Sequence, residues 1–475
     1  MKQTSQTWQF LTEDVEAIIE GLEQAEFDAI YPASPTLFDR FLAYLDKIGV
    51  RQTLEEFPDP RRRRSIPVRL LAQVLLVRPL FAVSSLSKLG AVLSMDRAVL
   101  QLLGFNAHSI EHGFRENANR CPFDEEALAD FGAQISAQDC LEHSIAVVKL
   151  LIGANPEYFE GATIVVDSKE VYASAGKSRP QQGDRLPPVK LKACTLSLLV
   201  KGRAVPMVWL FAPDTQAEVT LGKALLEAAL PTLVRAGVVQ LVVDAGYVDG
   251  EWLGGLARQW GLRIIIKLKE KMHLWADALG CTRVRDVLRP QARFSWVEAP
   301  PPKLKGKPLP RRQVGLVREL HSWDALGQPV DALVIRDAYP DGRMQEAVIG
   351  VIGNAEPDPL VLLEEWRSRW GIEEFFMEAD RYQQLGRLFP CREGFARTWV
   401  HFAFLAYTLL LLFDLHTCDK QEPLAATREL LVIRGPHYGL ISLGQFAVIL
   451  LDHHDTWQSK RQQVMTKLGH HEHLP

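Results

Sequence analysis

The run ATIVVDS, residues 162–168, is a short β-branched strand pattern that ends in an acid. The chain around it alternates in a regular way. Two more strand patterns come next, followed by a helix, a strand, a second helix and a last strand. Strands are recognised here by β-branched runs and helices by their periodicity of apolar residues. These six segments are 191–200, 204–211, 218–237, 238–246, 249–261 and 262–269. The order predicts an α/β core in which helices cover both faces of a mixed sheet.

Two aspartates stand at strand ends in this pattern. Asp167 lies late in the first strand, and Asp244 ends the fourth strand in LVVDAGY. The strand order is that of an RNase H-like core, in which the first and fourth strands are neighbours. Two carboxylates placed side by side repel each other unless a cation lies between them. Either aspartate alone could be a turn-initiating cap, whereas the two together predict a metal site.

A third carboxylate lies in the stretch LLEEWRSRWGIEEFFMEADRYQQL, residues 362–385. Its composition and periodicity predict one helix. At 100° per residue, one stripe of that helix would carry Trp366, Arg369, Glu373 and Asp380. The simpler interpretation is a surface ion pair between Arg369 and Glu373. The two strand-end aspartates favour a site of three carboxylates, which suits Mg²⁺ or Mn²⁺, with two ions expected.

Composition sets limits on the function. The chain has 475 residues, of which 47% are hydrophobic and 24% charged, and its net charge is −4. It is long enough for several domains and lacks a global basic signature of nucleic-acid binding. Its six cysteines form no CxxC pair, which favours a reducing cytoplasm. The apolar run 400–415 is short for a membrane span, so we expect a buried helix and no membrane association. The sequence has no Walker A, GxGxxG or GxSxG motif.

The flanking segments predict surfaces for DNA. Residues 1–150 indicate an all-helical N-terminal DNA-binding region, in which four arginines precede an apolar helix: Arg61, Arg62, Arg63 and Arg64. A solvated basic turn is the alternative. Short alternating runs predict a β-rich insertion subdomain over 271–350. Its basic loop could contact phosphate or be a solvated linker, and carries Lys303, Lys305, Lys307, Arg311 and Arg312.

The predicted domain organisation therefore has five parts. A helical N-terminal region spans 1–150. The RNase H-like core is split by the insertion into 151–270 and 351–420, and a C-terminal helical tail spans 421–475.

The acidic motifs resemble those of DDE-type insertion-sequence transposases that carry a β-strand insertion in the catalytic domain. Asp167 in TIVVDS, Asp244 in LVVDAGY and Glu373 in WRSRWGIEEFF correspond to the DDE triad. That subgroup has a signature of Tyr, Arg, Glu and Lys around its glutamate. Arg369 and Glu373 match it, whereas Trp366 replaces the tyrosine and Asp380 replaces the lysine.

The resemblance implies a function and partners. The chain is expected to bind double-stranded DNA at terminal inverted repeats, to cleave it with metal ions and to join the freed 3′-hydroxyl to target DNA. A homodimer is expected in the synaptic complex. Trp366, Arg369 and Trp370 are expected to contact DNA, with Trp370 stacking on an extruded base, although Trp370 could instead be a core residue. The alternatives are an inactive or domesticated DNA-binding protein and a nuclease without strand transfer.

Overall fold

The structure is a computed structural model. It describes residues 29–31, 37–62, 64–81, 83, 85–94, 97–105, 109–110, 113, 123, 125–177, 185–269, 271–276, 280–283, 295–302, 309–321, 326–353, 358–383, 385, 388–417, 439–443 and 445–449. Residues 1–28 of the predicted helical N-terminal region, Arg63, the basic loop lysines 303, 305 and 307, and most of the predicted tail lie outside these residues.

Helices occupy most of the N-terminal third and recur through the chain. The described helices are α1 (Leu37–Lys47), α2 (Val50–Thr53), α3 (Val68–Val77), α4 (Leu86–Ser94), α5 (Arg97–Leu102), α6 (Glu125–Ala133), α7 (Ala137–Ala154), α8 (Glu218–Arg235), α9 (Gly250–Trp260), α10 (Pro359–Ser368), α11 (Trp370–Gln383) and α12 (Glu393–Thr417).

Strands fill the middle of the chain, with three short ones near the termini. The described strands are β1 (Ala29–Tyr31), β2 (Thr163–Ala173), β3 (Gly176–Lys177), β4 (Arg185–Leu186), β5 (Val189–Val200), β6 (Arg203–Pro213), β7 (Gln240–Val243), β8 (Arg263–Lys267), β9 (His273–Ala276), β10 (Gly280–Arg283), β11 (Val297–Ala299), β12 (Arg311–His321), β13 (Pro329–Ala338), β14 (Met344–Ile352), β15 (Gly439–Leu443) and β16 (Gln445–Ile449).

The chain divides into two compact units. The first comprises Met1–Leu150, Tyr172–Val189 and Ala379–Pro475, and the second comprises Leu151–Val171 and Lys190–Glu378. The second unit contains the α/β core and all three predicted carboxylates.

A mixed sheet forms the second unit. Its strand order is β10-β9-β12-β13-β14-β8-β7-β2-β5-β6, and β11 pairs with β12. The predicted order of three strands, helix, strand, helix and strand is confirmed by β2, β5, β6, α8, β7, α9 and β8. Strands β2 and β7 are parallel neighbours, as predicted for the first and fourth strands. This mixed α/β fold with a large central sheet fits an RNase H-like core.

The described strands of the insertion belong to the central sheet rather than to a sheet of their own. Strand β14 pairs antiparallel with β8, so the strands of the predicted 271–350 segment extend the central sheet. Their alternating apolar pattern indicated strands but gave no information about which edge they would pair with, because strand pairing is a long-range contact.

The first unit is built around α12. This helix packs against α1, α3 and α6, and its apolar side chains are almost all buried. It is long and apolar enough to cross a bilayer, yet 89% of its most apolar window is buried inside the protein. The expectation of a buried helix at 400–415 is therefore confirmed.

Two local predictions differ from the structure. Strands β15 and β16, with β1, form a small sheet where a C-terminal helical tail and an all-helical N-terminus were predicted. Both runs, GLISL and QFAVI, are short, and QFAVI combines an aromatic residue with two β-branched ones, which favours a strand over a helix. The helix predicted for 362–385 is interrupted at Arg369, where two i to i+3 hydrogen bonds tighten the backbone on either side: Arg369 N to Trp366 O at 3.3 Å and Ile372 N to Arg369 O at 3.1 Å.

Candidate functional site

The register of β2 and β7 brings the two aspartates together. Val166 is paired with Val243, the last residue of β7. The next residue of each strand is an aspartate, Asp167 on one and Asp244 on the other. Parallel neighbours lie about 4.8 Å apart, so the two backbones are adjacent where these carboxylates branch off. Both side chains are half-buried.

Asp167 is a perturbed carboxyl group. Burial, the largest cause, and the negative charges of Asp244 and Glu218 raise its pKa, to a net value of about 6. The backbone N–H of Ser168, which donates to Asp167 Oδ1 at 2.8 Å, and the Arg369 guanidinium lower it. A carboxyl group whose pKa is raised by burial and by neighbouring carboxylates is typical of functional sites.

Glu373 is connected to Asp167 through an arginine. Arg369 Nη2 donates to Glu373 Oε1 at 2.6 Å, and Arg369 Nη1 lies 3.6 Å from Asp167 Oδ2. The arginine side chain is only 12% exposed, so these contacts are shielded from water. The Trp366 ring lies against the same guanidinium, with its centroid 5.2 Å from the arginine Cζ. The predicted stripe of Trp366, Arg369 and Glu373 is therefore present, and it faces the strand-end aspartate.

Glu218, the first residue of α8, is an acid that sequence reasoning missed. Its charge acts on Asp167, and a Cβ placed on Gly246 would lie 2.6 Å from its Oε2. The carboxylate therefore rests against the turn that follows Asp244. An acid in the first turn of a helix is common because it complements the helix dipole. The sequence consequently carried no signal that distinguishes Glu218 from an ordinary helix-start acid.

Tyr247 anchors the same turn in the core. It is fully buried, and its hydroxyl lies 2.9 Å from Ser168 Oγ and 3.7 Å from Cys194 Sγ. A Cβ on Gly222 of α8 would lie 2.7 Å from the Tyr247 ring, so this glycine allows the helix to pack directly on the tyrosine. Ser168, directly after Asp167, and Tyr247, three residues after Asp244, are thus joined by a hydrogen bond.

The chemistry of these donors fits a hard divalent cation. Carboxylate oxygens are the ligands that Mg²⁺ and Mn²⁺ prefer, and mutually repelling carboxylates are stabilised by a cation between them. Among the described residues, no group of three His, Cys, Asp or Glu side chains is already arranged around one point. Glu373 is instead turned towards Arg369. Asp167, Asp244 and Glu373 could hold the metal once that ion pair opens.

Three other acidic residues on or next to these elements have different surroundings. Asp249 caps α9 by accepting from Trp252 N at 3.0 Å and pairs with Lys223 Nζ at 2.6 Å. Glu170 and Glu374 are exposed on β2 and α11. The ion pair with Arg369 distinguishes Glu373 from the adjacent Glu374, which is exposed.

The arginine cluster contains residues of two kinds. Arg61 is 7% exposed and donates to Asp59 Oδ1 at 2.7 Å and to Ile66 O at 2.6 Å, so it holds the loop before α3 together. Arg62 and Arg64 are exposed, although Arg64 also donates to Asp59 O at 2.8 Å. Among the described members of this cluster, Arg62 and Arg64 are therefore the two that could make the predicted DNA contact.

The two described arginines of the insertion are both ion-paired. Arg312 donates to both carboxylate oxygens of Asp337 on the neighbouring strand, at 2.6 and 2.5 Å, and is 12% exposed. Arg311 is exposed and pairs with Glu298. Arg312 thus has a structural role between β12 and β13, whereas Arg311 remains accessible.

Trp370 is exposed to solvent. The side chain is 57% exposed at the start of α11, so it is not a core residue of its unit. Gly371 beside it approaches Ala204 of β6, because a Cβ there would lie 3.2 Å from Ala204 N. The close approach fixes the first turn of α11 on the sheet and leaves the indole outside.

The fold and the site together define a mixed α/β protein with acidic side chains at adjacent strand ends and a third acid on a packed helix. A family model described as the transposase DDE domain matches residues 159–409. The chain belongs to this family of DDE transposases. The family implies DNA as a partner, and its members generally use divalent metal ions. No curated protein matches the chain.

Proposed function

We propose that the protein is the transposase of a bacterial insertion sequence, which binds terminal inverted repeats and catalyses cleavage and strand transfer. The observation that carries the proposal is the parallel register of β2 and β7, which sets Asp167 and Asp244 side by side next to Glu373 on α11. Acids from three separate segments, two at strand ends and one on a helix, have no evident purpose in the packing of the sheet. Together they suit the binding of divalent cations, which stabilise the negative charge that phosphodiester cleavage accumulates.

The proposed roles of the three carboxylates are those of ligands. Bound Mg²⁺ or Mn²⁺, with two ions expected, supplies activation of the attacking oxygen and neutralisation of the leaving oxygen. Asp167 and Asp244 would hold the metal at the strand ends, and Glu373 would complete the site from α11. Glu218 and Tyr247 keep the Asp244 turn in place, through contact with Gly246 and through the Ser168 hydroxyl.

The proposed partners follow from this reaction. The protein would bind the repeats at the element's ends and then target DNA in the cytoplasm, and would form a homodimer when two ends are brought together. Exposed Trp370, Arg62, Arg64 and Arg311 are the described members of the predicted DNA surfaces that remain accessible. Contact with phosphate through such arginines is independent of sequence and sensitive to salt.

The test is a cleavage and joining assay with Mg²⁺ on DNA carrying the flanking repeats. Formation of nicked ends and of joined product is the expected result. Cleavage without joining would instead assign the protein to RNase H-fold nucleases. The presence of short inverted repeats beside the coding region is a simpler check of the mobile-element origin.

One observation favours a second candidate, a domesticated or inactive transposase that binds DNA without cutting it. Asp380 on α11 stands where the resembling subgroup has a lysine. An acid repels phosphate where a base would attract it. Binding to repeat DNA with no cleavage in either Mg²⁺ or Mn²⁺ would select this candidate.

A further inference from the structure

We infer that Arg369 is a positioning residue that acts as the internal counter-cation of the metal-free site, and that metal binding displaces it from Glu373. The inference rests on the proposed function, because it concerns the same three carboxylates. It adds a step to that function, namely that the site must exchange one cation for another before it can act.

The contacts of Arg369 are those of a bridging cation. One guanidinium nitrogen lies 2.6 Å from Glu373 Oε1 and another lies 3.6 Å from Asp167 Oδ2. The two carboxylates come from different elements, β2 and α11, so the arginine joins the sheet to the helix. The Trp366 ring, centred 5.2 Å from the arginine Cζ, provides a third contact.

The surroundings make this cation necessary when no metal is bound. The side chain of Asp167 is 22% exposed and that of Glu373 is 33% exposed, and the negative charges of Asp244 and Glu218 also act on Asp167. Without Arg369, the carboxylates would face one another in a partly desolvated place with no positive charge between them. A partly buried ion pair that loses one partner leaves the other uncompensated, which is costly.

A metal ion at the same carboxylates would compete with the arginine. Arg369 contacts both Glu373 and Asp167, so a divalent cation bound by these two carboxylates would lie next to the guanidinium, and the two positive charges would repel each other. Binding therefore includes the cost of breaking the Arg369–Glu373 pair. The arginine lowers the affinity for metal and, through its contacts with both carboxylates, keeps Glu373 close to Asp167.

The experiment measures binding of Mn²⁺ alone, without DNA, by calorimetry and by the electron paramagnetic resonance signal of free Mn²⁺. Arg369→Gln removes the competing charge and is expected to bind Mn²⁺ about tenfold more tightly than the wild type, a gain typical of one lost charge-assisted contact. Arg367→Gln is the matched control. Arg367 lies on α10, pairs with Glu364, and is expected to leave the affinity unchanged when replaced.

A double variant identifies the exchange partner. In a Glu373→Gln background, Arg369→Gln is expected to change the Mn²⁺ affinity by less than about threefold, compared with about tenfold when Glu373 is present. The melting temperature gives a second readout. Without added metal, Arg369→Gln should have a lower melting temperature than the wild type. Saturating Mn²⁺ should raise the melting temperature of the variant by more than it raises that of the wild type. A merely structural arginine would lower stability and weaken metal binding together.

The outcomes separate the inference from the proposed function. Unchanged or weaker Mn²⁺ binding in Arg369→Gln, with normal binding in the wild type, overturns the inference alone. Absence of Mn²⁺ binding in every variant and in the wild type overturns both. If Arg369→Gln does not fold, Arg369→Lys replaces it. This variant keeps the charge but loses the planar group whose two nitrogens contact separate carboxylates, so a gain of about threefold is expected and no gain overturns the inference.

Discussion

Val166 of β2 is paired in parallel register with Val243 of β7, and each valine is followed by an aspartate. A shift of one residue would turn one of the two acids to the opposite face of the sheet, because successive side chains alternate. The pairing of two buried valines therefore determines the relative position of Asp167 and Asp244. This relationship links the packing of the core to the chemistry of the candidate site.

Replacement of Asp167 by alanine should abolish cleavage, with a loss of at least about a thousandfold, while DNA binding stays intact. The carboxylate is proposed as a ligand rather than a DNA contact. Cleavage and gel-shift assays on the same repeat DNA measure the two effects. Glu170→Gln, on an exposed position of the same strand, is the control and should keep both activities. Normal cleavage by Asp167→Ala would refute the assignment.

Mn²⁺ binding should begin to weaken at a higher pH than is usual for a site made of carboxylates. A proton competes with the metal for Asp167, and burial and the nearby acids raise the pKa of this carboxyl to about 6. Affinity is expected to fall below about pH 6, by up to tenfold per unit, rather than below about pH 4 as for an ordinary aspartate. Glu218→Gln removes one of the repelling charges, so its titration midpoint should move to lower pH. An unchanged midpoint would mean that Glu218 has no influence on Asp167.

Arg61 and Arg62 should respond to alanine substitution in opposite ways. Arg62→Ala, at an exposed position, should weaken DNA binding and reduce the slope of log affinity against log salt by about one, because one phosphate contact is lost. Its stability should not change. Arg61→Ala should lower the free energy of unfolding by about 2 kcal/mol or more, since Arg61 is buried against Asp59 and Ile66. Urea denaturation and salt-dependent gel shifts distinguish the two.

The helical unit should lose stability in mild acid because of a buried histidine pair. Thr53 Oγ1 donates to Val50 O, so it accepts from His143 Nε2 at 3.0 Å, and His143 Nδ1 therefore accepts from His401 Nε2 at 2.9 Å. This arrangement requires a neutral His143 ring, because its Nδ1 must accept. Burial lowers the pKa of His143 to about 4 and holds the pKa of His401 well below its usual range.

The sign of the effect follows from these directions. Both folded-state pKa values lie below that of a free histidine, so the unfolded chain takes up protons first as the pH falls. The stabilisation is present above about pH 6.5 and is lost progressively towards about pH 4. The midpoint of urea unfolding, measured at about pH 7 and pH 5, should fall less in His143→Phe than in the wild type. His416→Asn, at the exposed end of α12, should retain the wild-type slope.

Gly394→Ala should destabilise the contact between α12 and α6. A Cβ at this position would lie 2.1 Å from Ala133 O, a backbone atom that cannot rotate away. The expected loss is about 1–3 kcal/mol, as for other overpacked core positions. Gly153→Ala on α7 is the control, since a Cβ there meets nothing within 4 Å. It should be neutral or stabilising by up to about 1 kcal/mol. Equal melting temperatures for the two variants would contradict the close approach.

The sequence by itself determined the order of strands and helices in the core and the positions of the strand-end acids. Runs such as TIVVDS and LVVDAGY carry that information locally, because β-branched periodicity and a terminal carboxylate are properties of neighbouring residues. Once the order was known, the parallel pairing of β2 with β7 followed from it. The stripe of Trp366, Arg369 and Glu373 was likewise a matter of helical spacing.

Only the tertiary structure decided which charges meet. The second contact of Arg369, to Asp167, joins residues 202 positions apart, and nothing in either local sequence encodes it. The same holds for Glu218 against the Gly246 turn, for the burial of Arg61 and for the pairing of β14 with β8. Such contacts depend on the packing of the whole sheet and its helices, and on which partner is within reach when each polar group is removed from water.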